Sequence, residues 1–157
     1  YLHKAMVDRM QVVADAAKYR PPALADAVLL DAPCTATGTL RRHPDGKWTK
    51  QPGDVATMAA VQARLLDAAI AMLKPGGMLV YCVCSMEAEE GPGQIDRLLA
   101  ARADVRRAPV TATEMAGLED AILSAGDVQT LPCMAGGMGG GMDGGMDGFF
   151  ISRLVRV

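Results

Sequence analysis

Four apolar residues in a row, Ala27 to Leu30, are bounded by Asp26 and Asp31. A run of this kind without alternation predicts a strand covered on both faces, as in parallel sheets. From Asp54 the period changes. Val55, Met58, Val61, Leu65, Ala69 and Met72 recur at steps of three or four, which predicts a helix with Asp54 as its N-cap. "LKPGG", residues 73–77, predicts its stop, because proline cannot continue a helix and glycine supplies turn conformations. "MLVYCVCS" then reads as a second strand, with Cys82 and Cys84 on one face. Strand, long helix and strand form a βαβ unit and hence an α/β fold. An Ala-rich helix is expected over 93–103, followed by a looser segment leading to "DVQTLPC" and a last strand over 149–157. The opening "YLHKAMVDRM" reads as a helix entered partway, which suggests an N-terminal truncation.

With 157 residues, the chain has about the length of one domain, expected to span 1–157 and to bury a real core. Half of it is hydrophobic and 22% charged, with a net charge of −2, a balance that fits a soluble globular protein and not a disordered one. No apolar run approaches the roughly 18 residues of a membrane span, and no leader pattern indicates export. A cytoplasmic location is the expectation. The four cysteines, Cys34, Cys82, Cys84 and Cys133, lack the paired short spacings of a zinc site, so neither a metal nor a disulfide framework is expected.

Ligands of open α/β sheets bind beyond the carboxyl ends of the strands. Asp31 and Cys34 follow the first strand, and Cys84 and Ser85 end the second. If the strands are neighbours, a carboxyl group and two thiols share one crevice. A single free cysteine is more often a small buried hydrophobe. As a nucleophile it needs a lowered pKa or a base, because a thiol with pKa near 8.5 is only a few per cent thiolate at neutral pH. "RRHPDGKWTK" adds a basic cluster, Arg41, Arg42, Lys47 and Lys50 against Asp45. It suits either contacts to RNA phosphates or a solvated loop, and Trp48 suits packing against the body or stacking on a base. The glycine-rich stretch before the last strand holds a formal G-x-G-x-x-G match at Gly139, Gly141 and Gly144. A strand follows it where a dinucleotide site needs a helix, so it reads as a hairpin loop.

"DAPCTATGTLRRHPDGKW", "LKPGGMLVYCVCSMEAEEG" and "GGMDGFFISRL" resemble, in order, motifs of the NOL/NOP/Sun family of RNA cytosine-5 methyltransferases, bacterial Sun/Fmu type. The similarity runs from about Val12 to Arg153. It implies a class I S-adenosylmethionine-dependent, Rossmann-like sheet and RNA, foremost ribosomal RNA, as substrate. By this resemblance Cys84 is the nucleophile that adds to cytosine C6, and Cys34 assists loss of the C5 proton and product release. Asp31 holds the cytosine edge. Asp15, Asp31 and Pro33 lie at the cofactor, and Arg41, Arg42 and Lys47 meet RNA.

The family's glycine-rich cofactor loop and ribose-binding acid have no counterpart in these 157 residues, so the sheet is expected to be N-terminally incomplete. In the family's strand order, 3-2-1-4-5-7-6, the strand carrying Asp31 then becomes an exposed edge, open to self-association. The rival readings are a non-catalytic remnant serving as an interaction module, and an enzyme completed by a partner chain. A thiol hydrolase lacks a base near either cysteine in sequence, since His43 adjoins neither.

Overall fold

The computed structural model describes residues 12–134 and 145–157. The expected opening helix over 1–10 and the glycines Gly139, Gly141 and Gly144 lie outside the described residues. Strand β1 (Ala25–Asp31) leads through a turn to a short helix α1 (Gly46–Thr49) and the long helix α2 (Asp54–Ala71). Next come β2 (Leu73–Val83), α3 (Pro92–Ala101), β3 (Val105–Arg107), β4 (Val128–Thr130) and β5 (Phe149–Arg156). The sheet order is β1-β2-β5-β3, with β4 also on β5. β1 and β2 are parallel, whereas β5 runs antiparallel to β2, β3 and β4. This is the 4-5-7-6 portion of the expected strand order, and β1 is its edge.

The βαβ reading holds because α2 returns the chain to a strand lying beside β1. Leu66 and Ile70 of α2, Ile95 and Leu98 of α3, and Leu79, Tyr81, Val83, Phe150 and Leu154 of the sheet are fully buried together. The Tyr81 and Phe150 rings meet edge to face at 6.4 Å, an arrangement favoured by the ring quadrupoles. Val28 and Leu30 of β1 pack against this cluster.

Several expectations are corrected. β1 is covered on one face only: Leu29 alternates away from the core and is 71% exposed, so its apolar run marks no doubly buried strand among the described residues. Asp54 does not cap α2. Gly53 holds the cap position without a side-chain bond, and the Asp54 carboxylate accepts from the Gln51 N–H at 2.8 Å. "KPGG" belongs to β2, where the pairing with β1 shifts register between Ala25 and Ala27. Gly76 takes φ +80° there, and a Cβ on Gly77 would meet the Lys74 carbonyl oxygen at 2.9 Å. Those glycines therefore serve a bulge. β3 lies in the stretch expected to be loose. At three residues it is too short to show a period.

No described helix is long and apolar enough to cross a membrane.

Candidate functional site

β1 and β2 end side by side, with Asp31 opposite Cys82 in register. Beyond them the chain makes two loops, one through Cys34 and one through Cys84. The two thiols meet there, Sγ to Sγ at 3.4 Å. Both cysteines are half-buried, so the convergence expected from strand ends is realised.

The loops are laced together by the residues that follow each cysteine. The Gly38 N–H donates to the Cys84 carbonyl at 3.0 Å. The Thr35 and Ser85 hydroxyls are 3.2 Å apart, and those of Thr37 and Ser85 3.3 Å. The Met86 N–H donates to the Thr37 hydroxyl at 3.0 Å. Ala36, between these contacts, is a non-glycine residue in the left-handed region at φ 56°. Such a conformation costs of order 1 kcal/mol and persists where the surroundings over-determine it.

Beneath the thiols lies a side chain to which the sequence reading gave no role. Glu90 is fully buried. Its carboxyl group accepts from the Thr35 N–H at 3.0 Å, from Gln62 Nε2 at 3.0 Å, and from the hydroxyls of Thr35 and Ser85. Gln62 also donates to the Pro33 carbonyl at 2.9 Å, which explains a buried glutamine beside the apolar stripe of α2. The available signal was a polar residue following each cysteine. Their common partner, 55 residues from Thr35, is visible only in three dimensions.

Burial pushes the Cys34 thiol up to about 12; a backbone hydrogen bond from Ala36 works against this and the Cys84 thiol reinforces it. Cys34 is therefore a neutral thiol at neutral pH. Cys82 is pushed up to about 11 by burial and then by the charge of Asp31, whose Oδ1 lies 3.7 Å from its sulfur. Alkylation of Cys34 by iodoacetamide should climb about tenfold per pH unit from about pH 7 to about pH 10, since only the thiolate reacts. Peptide mass spectrometry reads this, and a plateau within that range would contradict the shift. The folded state holds its proton above the ordinary cysteine value of 9.0. The unfolded chain then binds fewer protons between the two values, so the contribution of Cys34 to stability is lost as pH rises from 9.0 towards about 12.

The other expected site residues are more dispersed. Asp31 and Pro33 are exposed at the end of β1. Asp15 is exposed in a turn, where it accepts from the Ala17 N–H at 3.0 Å. It lines an open cleft of about 410 Å³ with Lys18, Arg20, Arg64 and Asp67, a cleft that neither Asp31 nor Pro33 lines. Arg42 is engaged by the Asp147 carboxylate through Nε at 2.7 Å, and Arg41 stands 4.0 Å from it. Lys47 Nζ lies 4.9 Å from the Trp48 ring centre. Trp48 is 78% exposed, so it does not pack the loop against the body.

The comparisons with known proteins fit this geometry. The chain is 42% identical over 114 residues to the ribosomal RNA small subunit methyltransferase B of Pasteurella multocida, covering 73% of this chain and 24% of that protein. The corresponding protein of Erwinia tasmaniensis is 40% identical over 131 residues, 83% of this chain and 26% of that one. The chain thus spans about a quarter of the length of these curated relatives. A crystal structure of PH0851 superposes with a TM-score of 0.70 at 30% identity, over 84% of this chain and 27% of that one. The structure of NSun6 from Pyrococcus horikoshii with SFG gives 0.68 at 24% identity, over 93% and 34%, a likeness of fold that agrees with the expected class I methyltransferase sheet. Residues 3–155 match the family described as 16S rRNA methyltransferase RsmB/F, and with nearly its whole length inside that match the chain belongs to this family.

Proposed function

We propose that this chain carries the cytosine-activating thiols of an RNA cytosine-5 methyltransferase, acting on ribosomal RNA in the cytoplasm, where thiols stay reduced. The observation that carries the reading is the 3.4 Å approach of Cys34 Sγ to Cys84 Sγ beyond two parallel strands. Cytosine C5 is a poor nucleophile. Addition of the Cys84 thiolate to C6 forms an S–C6 bond and makes C5 enamine-like, splitting one difficult step into easier ones. Asp31, exposed at the end of β1, holds the cytosine edge at N3 and the exocyclic amine, where charge develops. Cys34, a strong base in its minor thiolate form because burial raises its pKa, takes the C5 proton. The C5–H electrons restore the C5–C6 double bond as the S–C6 bond breaks and the Cys84 thiolate leaves. The target base must be out of its stack to reach these groups.

S-adenosylmethionine, when bound, supplies the methyl group. Of the residues expected to hold it, Asp31 and Pro33 are exposed at the carboxyl end of β1, where ligands of open α/β sheets sit, and Asp15 lines an open cleft of its own. Arg41 and Lys47, with Arg42 behind its Asp147 pair, offer the RNA phosphates a basic loop. A non-catalytic module with the same fold is the second reading, favoured by the separation of Asp15's cleft from Asp31 and Pro33. Calorimetric titration of the 157-residue chain with S-adenosylmethionine tests the choice. Micromolar binding supports the first reading, and no binding at millimolar cofactor supports the second.

The described residues pair only one edge of β1, and unpaired strand edges template association. Sedimentation of the chain should show concentration-dependent self-association, weakened by Leu29→Lys at the exposed position. A monomer throughout would exclude it.

A further inference from the structure

We propose that Glu90 is a positioning residue that fixes the spacing of Cys34 and Cys84. The proposal deepens the reading in which these two thiols act on one cytosine. The network around Glu90 is aimed at the cysteine loops from both sides. One carboxyl oxygen accepts from the Thr35 N–H and from Gln62, whose other donor contact holds the Pro33 carbonyl. The residues before and after Cys34 are thereby tied to one side chain. The other oxygen accepts from the hydroxyls of Thr35 and Ser85, the residues that follow Cys34 and Cys84. Glu90 itself is held through its main chain: its N–H donates to the Glu87 carbonyl at 3.1 Å, and its carbonyl accepts from the Tyr81 hydroxyl at 2.6 Å.

A fully buried carboxyl group is expensive unless its hydrogen bonds are complete. Of the four donor groups on this one, three belong to residues adjoining the two cysteines, and the fourth, Gln62, also holds Pro33 beside Cys34. A leucine there would leave these four donors without their acceptor. What a leucine could not supply is a common acceptor joining two loops 50 residues apart in the chain. Displacements of about 1 Å in a reacting pair can cost about a hundredfold in rate, so a clamp on the thiol spacing has a function beyond holding the fold.

The test reads that spacing without RNA or cofactor. In the full 157-residue chain with Cys82→Ala and Cys133→Ala, the two remaining thiols are equilibrated with oxidised and reduced glutathione. One protein disulfide forms as one oxidised glutathione becomes two reduced molecules, the two thiol protons passing to them. The equilibrium constant measures how well the fold presents the thiols to each other. Glu90→Gln should lower it about tenfold, equivalent to about 30 mV for this two-electron couple. Thr35→Val and Ser85→Ala should each lower it severalfold at temperatures where thermal melts show all variants folded. An unchanged constant, even with a lowered melting temperature, would make Glu90 an ordinary fold contact and overturn the proposal. Should Glu90→Gln fail to fold, the Thr35 and Ser85 variants decide by the same criterion. A lowered constant alongside no RNA adduct at either cysteine keeps the clamp and overturns the methyl-transfer reading.

Discussion

Replacing Cys84 by alanine is expected to abolish covalent capture of RNA containing 5-azacytosine, while Cys34→Ala leaves capture intact. The difference follows from where each thiol acts. Addition to C6 needs a thiolate nucleophile. With nitrogen in place of C5, the adduct has no C5 proton to lose, so it cannot eliminate and survives denaturing electrophoresis. Cys84→Ala removes the group that forms the bond, and the expected loss is complete. In the proposed mechanism Cys34 acts after the bond exists, and its thiol, pushed up to about 12 by burial, rests protonated. Its removal should slow release from ordinary cytosine by the factor of a lost general acid–base group, about 10²–10⁴, so that adduct accumulates. The reverse pattern, capture lost with Cys34→Ala and kept with Cys84→Ala, would exchange the two roles. Loss in both variants would mean that the thiols act as a unit.

The part of this site that was legible in the sequence is the part determined by strand ends. Asp31, Cys34 and Cys84 each stand within a few residues of the point where an apolar run stops, and two parallel neighbours joined by a helix bring such points together. That inference needs only local patterns and one rule of topology. The positions that escaped depend on partners far apart in the chain. Glu90 accepts from Thr35 across 55 residues and from Gln62 across 28, and no period or motif in the sequence announces a buried carboxyl group. Leu29 misled because an apolar run looks the same whether one face or both are covered, and here α2 covers one. Asp54 misled for a local reason: its carboxylate bonds backwards to Gln51 and is unavailable to the first turn of the helix. Arg42, read as part of a basic cluster suited to RNA phosphates or to a solvated loop, is paired with Asp147 far along the sequence.

The second large effect is expected at Gly38, whose φ lies outside the left-handed region and whose need for glycine is purely one of space. A Cβ there would stand 1.9 Å from the Gly148 carbonyl oxygen, 2.6 Å from its carbon and 2.9 Å from its Cα. All three are backbone atoms and no side chain can swing aside. Gly38 is also held on both sides, its N–H donating to the Cys84 carbonyl at 3.0 Å and its carbonyl accepting from the Gly148 N–H at 2.8 Å. Alanine must therefore part the Cys34 loop from the Cys84 loop, from the segment leading into β5, or from both. Overpacking of this kind costs about 3 kcal/mol or more, which in a domain of this size lowers the melting temperature by roughly 10 °C. Two other glycines calibrate the result. Gly148→Ala would press mainly on the flexible Met86 side chain at 2.9 Å, and Gly53→Ala meets nothing within 4 Å. The expected order of melting temperatures is Gly53→Ala near the parent, Gly148→Ala lower and Gly38→Ala lowest. Gly38→Ala should also loosen the thiol pair and lower the Cys34–Cys84 disulfide equilibrium constant with glutathione. A Gly38→Ala protein that melts with the parent would show that the loops are not docked through this contact, and the 3.4 Å thiol approach would then need another support.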